Sequence, residues 1–301
     1  MDIFLTGATG FLGGVIGARL VADGHAVRGL LRDPADAHLV ARAGITPVIG
    51  DLDDADLLTA EAERADGVVN AAASDHRGAV EALLRGLRGS GGPLLHTSGT
   101  SVVGDDAKGE ALSPTVFDDA GEVVADAHPV RRARFAIDTD VVAAASTGVR
   151  TVVLCNSLVY GTGRPPRPDT VLLVPLVEQA RGSGVVRVVG VGANTWSTVH
   201  VDDVAALYSL ALGDPNASGF YFVENGEASF AEIGAAIARR LGLGPVEPWP
   251  LEDAARAWGE GLARFALGSN SRVRGTRARQ LGWRPEHASI TTWITEDLIV
   301  R

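Results

Sequence analysis

The stretch Thr6-Gly7-Ala8-Thr9-Gly10-Phe11-Leu12-Gly13-Gly14 stands between an apolar run at residues 3–5 and an amphipathic stretch at 11–23. A short apolar run reads as a buried strand, and a 3.6-residue periodicity after it reads as a helix. The three spaced glycines have separate tasks. Gly7 permits a tight turn, Gly10 allows close approach to a pyrophosphate, and Gly13 allows close packing of helix on strand. The helix N-terminus then offers free N–H groups and its positive dipole end to phosphates. Between a strand and a helix the pattern is specific for a dinucleotide. Thr6, Gly7, Thr9, Gly10, Phe11, Leu12 and Gly13 are therefore expected to contact one.

Outward from this loop, further strands are expected at 26–31, 46–49, 67–70, 93–97 and 150–154. Helical patterns lie between them near 34–43, 57–62, 77–89 and 129–145. Such alternation implies βαβ units, hence an α/β Rossmann fold with a doubly wound parallel sheet. The strands are almost wholly apolar, as strands buried on both faces are. After Tyr160 the rhythm breaks at a Gly/Pro-rich loop, 161–168. Strands are expected at 185–189 and 220–223, and a helix at 202–212 capped by Asp202 or Asp203. The tail from Ser229 reads as mostly helical and holds four tryptophans. The expected division is a Rossmann domain, residues 1–157 plus about 186–226, and a smaller, mostly helical C-terminal substrate domain, 158–185 plus about 227–301.

Composition sets the outer limits. The 301 residues carry a net charge of −10, which disfavours a nucleic-acid partner. A lone cysteine, Cys155, excludes an internal disulfide and sits in an apolar run as a small buried side chain. No apolar run approaches the ~20 residues needed to cross a bilayer, and no signal-peptide pattern precedes the first strand. A cytoplasmic protein with no membrane partner is expected, with a homodimer left open and no metal site. Lys108 is the only lysine, and tyrosine occurs only at 160, 208 and 221.

Thr-Gly-Ala-Thr-Gly-Phe-Leu-Gly resembles the signature of the extended short-chain dehydrogenase/reductase family, which includes epimerases, dehydratases and reductases. Gly50-Asp51-Leu52 is similar to that family's adenine-contacting turn, and Asn70-Ala71-Ala72-Ala73 to the end of its fourth strand. Thr97-Ser98-Gly99 resembles its serine-rich fifth strand. Leu158-Val159-Tyr160-Gly161 and Val199-His200-Val201-Asp202-Asp203-Val204 match segments farther on. The resemblance implies cofactor contacts from Asp51, Leu52, Ala71, Ala72 and Asn156. Leu31 falls where the family's NAD-specific acid stands, and Arg32 follows it; a guanidinium there can grip a 2′-phosphate. The expected cofactor is thus NADP(H) rather than NAD(H), unless Arg32 is merely solvated and Asp33 takes the ribose.

The resemblance also exposes a gap. Redox members of the family use Tyr-x-x-x-Lys on a helix, and none of the three tyrosines here has lysine four residues on. The matching helix puts Val130 at the tyrosine position and Arg134 at the lysine position, with Gly99 where a catalytic serine or threonine would stand. Val130, Ala133, Ile137, Val141 and Ala144 form an apolar stripe at helical spacing. Arg134 lies on or beside it, so it either finds an anionic or hydrogen-bonding partner, such as a cofactor oxygen, or reaches along the edge to water. Arginine stays charged and cannot exchange protons usefully. Ser98, Thr100, Tyr160 and His200 are the candidate donors, with Arg134 stabilising a developing oxyanion; His200 reads equally as a core residue.

Trp196 falls where nucleotide-sugar members of the family carry a diphosphate-gripping arginine. It suits a flat apolar ligand, or else packs between domains; Arg272 and Arg274 keep a charged substrate open. The expected activity is NADP(H)-dependent reduction of a small, mainly apolar C=O, C=C or C=N substrate. The alternatives are a redox-neutral epimerase, dehydratase or cyclase, and a catalytically silent NADP(H) sensor.

Overall fold

A computed structural model describes residues 1–121 and 129–299, with the side chains of Pro129 and Val130 outside the description. The strands β1 (Asp2–Thr6), β2 (Ala26–Leu31), β3 (Thr46–Ile49), β4 (Gly67–Asn70) and β5 (Pro93–Gly99) enter one sheet. Skipping β6 (Phe117–Asp118), β7 (Arg150–Asn156) joins them; β8 (Leu158–Tyr160), β9 (Arg187–Val189) and β10 (Thr195–His200) lie elsewhere; β11 (Gly219–Val223) completes the edge. The order is β11-β7-β5-β4-β1-β2-β3, parallel throughout. This is the Rossmann arrangement, and its order reverses between β1 and β4, where such sheets open a crevice at their carboxyl ends.

The buried strands need apolar cover on both faces. Helices α1 (Phe11–Ala22) and, far along the chain, α7 (Val201–Gly213) share one apolar cluster with β1 and β7, in which Ile16, Leu20, Leu207 and Tyr208 are inaccessible to solvent. On the other face α3 (Ala55–Glu63), α4 (Arg77–Leu87) and α5 (Pro129–Ala143) follow the short α2 (Ala37–Arg42) and pack around Phe4, Leu83 and Val141. A third cluster belongs to the C-terminal side. It joins α6 (Val174–Ser183), α8 (Phe230–Leu241) and the three-stranded sheet β12 (Glu227–Ser229)-β10-β8. Two further pairs, β9 with β13 (Glu247–Trp249) and β6 with β14 (Val273–Arg274), stitch the tail to earlier segments. The helices α9 (Leu251–Trp258), α10 (Glu260–Leu262), α11 (Thr276–Gln280) and α12 (Ile290–Glu296) make that tail mostly helical.

Two local expectations are corrected. Helix α7 starts at Val201, and its N-cap is His200, whose Nδ1 accepts from the Asp202 N–H at 3.2 Å. Asp202 and Asp203 occupy its first turn, where acids favour the dipole. On α5, Ile137 and Val141 are buried as the stripe requires, but Ala133 is exposed and Ala144 falls in the following 3-10 turn; Asp138 is buried instead. Val130 lies at the start of α5, its side chain outside the described residues. No helix among the described residues is long and apolar enough to cross a membrane.

Candidate functional site

Strand β1 ends at Thr6, and Gly7 turns the chain with φ +74°. The Gly10 N–H donates to the Gly7 carbonyl at 2.8 Å, closing the turn. A Cβ on Gly13 would stand 2.1 Å from that same carbonyl oxygen, and one on Gly7 would stand 2.8 Å from the Ala71 oxygen. A side chain at either position would run into backbone and force the turn open. Gly10 is the N-cap of α1 and supplies no side-chain cap, so the first N–H groups of the helix keep their donors for a ligand.

A cavity of about 500 Å³ opens at this turn. Gly7, Thr9, Gly10, Ala71 and Ala72 line one end, and Arg32, Asp51 and Leu52 the other, bringing eight of the anticipated cofactor residues together. Thr6, Phe11 and Gly13 support it from beneath. Leu12 is half-buried on α1. The cavity also takes in Asp53, Ala73, His76 and Arg167, which the motif reading did not include. Arg32 is exposed, whereas Asp33 caps the following 3-10 turn by accepting from the Ala35 N–H at 2.9 Å. One oxygen of the rival ribose acid is thus taken by the turn, and Asp33 does not line the cavity.

Across the switch point, the ends of β5 and β7 carry Gly99 and Asn156. Asn156 is buried; its amide nitrogen reaches the Leu154 carbonyl at 3.2 Å and the Tyr208 hydroxyl at 3.3 Å, and its Oδ1 has no partner. Arg134 does not reach along the helix edge to water. Its Nε donates to Asp75 Oδ1 at 2.7 Å and its Nη2 to the other carboxylate oxygen, a bidentate pair that holds Asp75 below the usual carboxylate range. Arg134 Nη1 also donates to Ser101 Oγ at 3.2 Å, and Arg131 Nη1 to the same oxygen at 3.0 Å. Two guanidinium donors fill the hydroxyl's acceptor positions and leave its own proton to give away. Desolvation lowers the Arg131 pKa, with Arg134 nearby adding to the effect. Ser101, Arg131 and Asp75 escaped the sequence reading. Ser101 lies only two residues beyond Gly99, but its two cationic partners come from α5.

Beneath Arg134 runs a buried polar chain. The Ala72 N–H donates to Thr6 Oγ1 (3.3 Å), Thr6 donates to Asn70 Oδ1 (2.6 Å), and the Asn70 amide faces His96 Nδ1 (3.1 Å). That order leaves the His96 proton on Nε2, 3.6 Å from Asp138 Oδ1 and short of a hydrogen bond. Ser98 donates to the other Asp138 oxygen at 2.6 Å. Burial pushes Asp138 up to about 7 and His96 down to about 4.

The other candidates are engaged structurally. Thr100 Oγ1 accepts from Ser271 at 2.8 Å, and Tyr160 donates to the His287 carbonyl at 3.0 Å, with burial raising its pKa. His200 caps α7 and stacks on His287, with ring centroids 4.0 Å apart. Trp196 is buried, and its indole donates to the Ser269 carbonyl at 2.8 Å, so it is a packing residue. Arg272 pairs with Glu227, while Arg274 is exposed. Cys155 is buried and its thiol pKa raised by desolvation. Among the described residues no group of side chains is arranged to hold a metal ion.

Residues 3–221 match the model of the NAD dependent epimerase/dehydratase family. An oxidase of an Acremonium species, ucsJ, is 36% identical, covering 94% of this chain and 92% of its own. A 2-alkyl-3-oxoalkanoate reductase of Stenotrophomonas maltophilia is 30% identical, covering 75% of this chain and 71% of its own. Among solved structures, the Thermus thermophilus UDP-glucose 4-epimerase in complex with NAD superposes with a TM-score of 0.76, at 21% identity over 98% of this chain and 97% of the other. At that identity the likeness is one of fold.

Proposed function

Because the chain belongs to the NAD dependent epimerase/dehydratase family, we propose that its glycine-loop cavity binds NADP(H) and that it is an oxidoreductase acting on a small, mainly apolar C=O, C=C or C=N substrate. The observation that carries the cofactor choice is the pair Arg32 and Asp33: the arginine is on the cavity wall, and the acid lies off it, one oxygen capping the next turn. The 2′-phosphate brings roughly two negative charges to that end. Support for a mainly apolar substrate comes from the oxoalkanoate reductase among the relatives.

The residues fit the group, since glycine at 7 and 13 lets the turn close against Ala71 and Gly7 backbone and leaves the first N–H groups of α1 open to a diphosphate. Backbone N–H groups at the start of α1 would hold the phosphates, and Arg32 would hold the 2′-phosphate. When bound, the dinucleotide supplies or accepts a hydride at its nicotinamide ring. Asn156, at the carboxyl end of β7 with an unpaired Oδ1, would be the residue to meet that half. Arg134 stabilises negative charge growing on a substrate oxygen, and the Ser101 hydroxyl, held by two guanidinium groups, donates the hydrogen bond a tyrosine would otherwise give.

The test is direct. Dissociation constants for NADPH and NADH are measured by fluorescence at one salt concentration, then nicotinamide absorbance is followed with carbonyl, enone and imine probes. Tighter NADPH binding and oxidation of the nucleotide are expected. Equal affinities would refute the NADP(H) choice, and a rearranged product without absorbance change would make the enzyme redox-neutral.

A further inference from the structure

The Gly/Pro-rich loop at 161–168 does not simply link two halves of the chain. It folds back over the first turn of α1. Gly163 packs so closely on Phe11 that a Cβ there would stand 2.6 Å from the ring, and the Arg164 Cβ would lie 3.5 Å from one on Gly14. Two internal hydrogen bonds hold the loop in this shape, Gly163 N–H to the Pro168 carbonyl at 2.8 Å and Arg167 N–H to the Arg164 carbonyl at 3.1 Å. Beyond it, Thr170 Oγ1 donates to the Val159 carbonyl at 2.6 Å and anchors the exit.

This placement brings Arg167 to the wall of the cavity that Gly7, Thr9 and Gly10 line from the opposite side. Its side chain is exposed and makes no ion pair with the described residues. The first turn of α1 contains no acid to neutralise it. In a chain of net charge −10, with Asp51 and Asp53 on the same cavity, a free guanidinium over a helix N-terminus is a strong local counter-field for an anion.

We infer that Arg167 grips the pyrophosphate of the dinucleotide from the side opposite the glycine loop, making residues 161–168 the second wall of the phosphate site. The inference rests on the dinucleotide reading above and adds a residue to it. The pyrophosphate is favoured over the 2′-phosphate because the loop packs on Phe11 and Gly14, not on the end of β2 where Arg32 stands. Arginine suits the task, since its planar fork can meet two phosphate oxygens at once while lysine offers a point charge.

The experiment needs only nucleotides. NADPH and NADH are titrated against the parent, Arg167→Ala, Arg167→Lys and Arg32→Ala at low and moderate salt. Arg167→Ala is expected to weaken both nucleotides by a similar factor, on the order of 10-fold, and to flatten the salt dependence. Arg167→Lys should recover part of the loss, and Arg32→Ala should weaken NADPH alone. Arg164→Ala, on the same loop but away from the cavity wall, should bind as the parent does. A parent that binds neither nucleotide refutes the dinucleotide reading itself. A parent that binds while Arg167→Ala binds equally well overturns only the present inference. So does an Arg167→Ala loss confined to NADPH, or an equal loss in Arg164→Ala, which would mean that loop shape matters and the charge does not.

Discussion

Arg134 gains a partner that its own helix could not supply. Asp75 lies 59 residues earlier, on the loop after β4, and only the sheet order brings the two together. The helical spacing showed a cation beside an apolar face and so posed the right question; it held no information about the answer. Because Asp75 is 62% exposed, the pair contributes little to stability, below about 1 kcal/mol. Arg134→Met should therefore leave the urea midpoint nearly unchanged while weakening NADPH binding, and turnover should fall further than binding, since charge beside a developing oxyanion acts mainly in the transition state. Parental binding and turnover would remove Arg134 from the site. His96 and Asp138 were hidden for the same reason: each is one of several polar residues on its own element, β5 or α5, and only packing makes them neighbours. Their pH effects have opposite signs. Asp138, raised to about 7, adds stability at low pH that is lost as pH climbs from about 4 through 7. His96, lowered to about 4, adds stability above its ordinary value that is lost as pH falls towards 4. Between pH 4 and 6.5 the two offset each other. Asp138→Asn removes one side, so its stability relative to the parent should improve as pH rises across that range. Urea unfolding at several pH values checks this, and a constant difference would mean that Asp138 is ionised throughout.

At the scale of elements, the six strands read before Tyr160 and the one at 220–223 all enter the main sheet, because strands buried on both faces write themselves as apolar runs, whereas the one read at 185–189 pairs with β13 outside it. Helix α7 shows where this legibility stops. Two aspartates at its start outweighed a histidine, yet the ring nitrogen of His200 does the capping and Asp203 is turned inward to a segment more than eighty residues away. The glycine loop was the most legible element, since each glycine answers a local steric demand. Gly13 is the sharpest case. A Cβ there meets the Gly7 carbonyl at 2.1 Å, and backbone on both sides cannot yield without opening the turn. Gly13→Ala should cost on the order of 3 kcal/mol and abolish NADPH binding, read by urea unfolding and nucleotide fluorescence. A variant of parental stability that still binds would show that α1 can slide away from β1, and would weaken the case for a cradle shaped around phosphates.

Over the whole molecule, the C-terminal side is tied to the sheet by a few buried acids, and none of these ties is visible in the chain's local patterns. Asp203 accepts from the Glu286 and His287 N–H groups, each at 2.9 Å, while the Trp283 indole donates to its carbonyl at 2.9 Å. Asp119 does the same for the other edge, accepting from Phe222 N–H on β11 at 2.8 Å and from Arg277 N–H on α11 at 2.9 Å. The tail reads as helices and tryptophans because helical periodicity is local; the staples join residues separated by eighty to one hundred and sixty positions. Their importance follows from what removal would leave behind. Asp203→Ala strands two backbone donors in a partly buried place, a loss of about 2–4 kcal/mol at the usual penalty for each. The dinucleotide cavity, formed by β1, β2 and β4 together with loop 161–168, includes none of those groups. Limited proteolysis of Asp203→Ala should therefore cut first in the segment after Trp283, while NADPH still binds and still raises the unfolding free energy, by about 2.7 kcal/mol at a hundredfold excess over its dissociation constant. If the variant instead loses NADPH binding together with its tail, the C-terminal segment and the cofactor cleft unfold as one unit, and the staples belong to the binding site as much as to the fold.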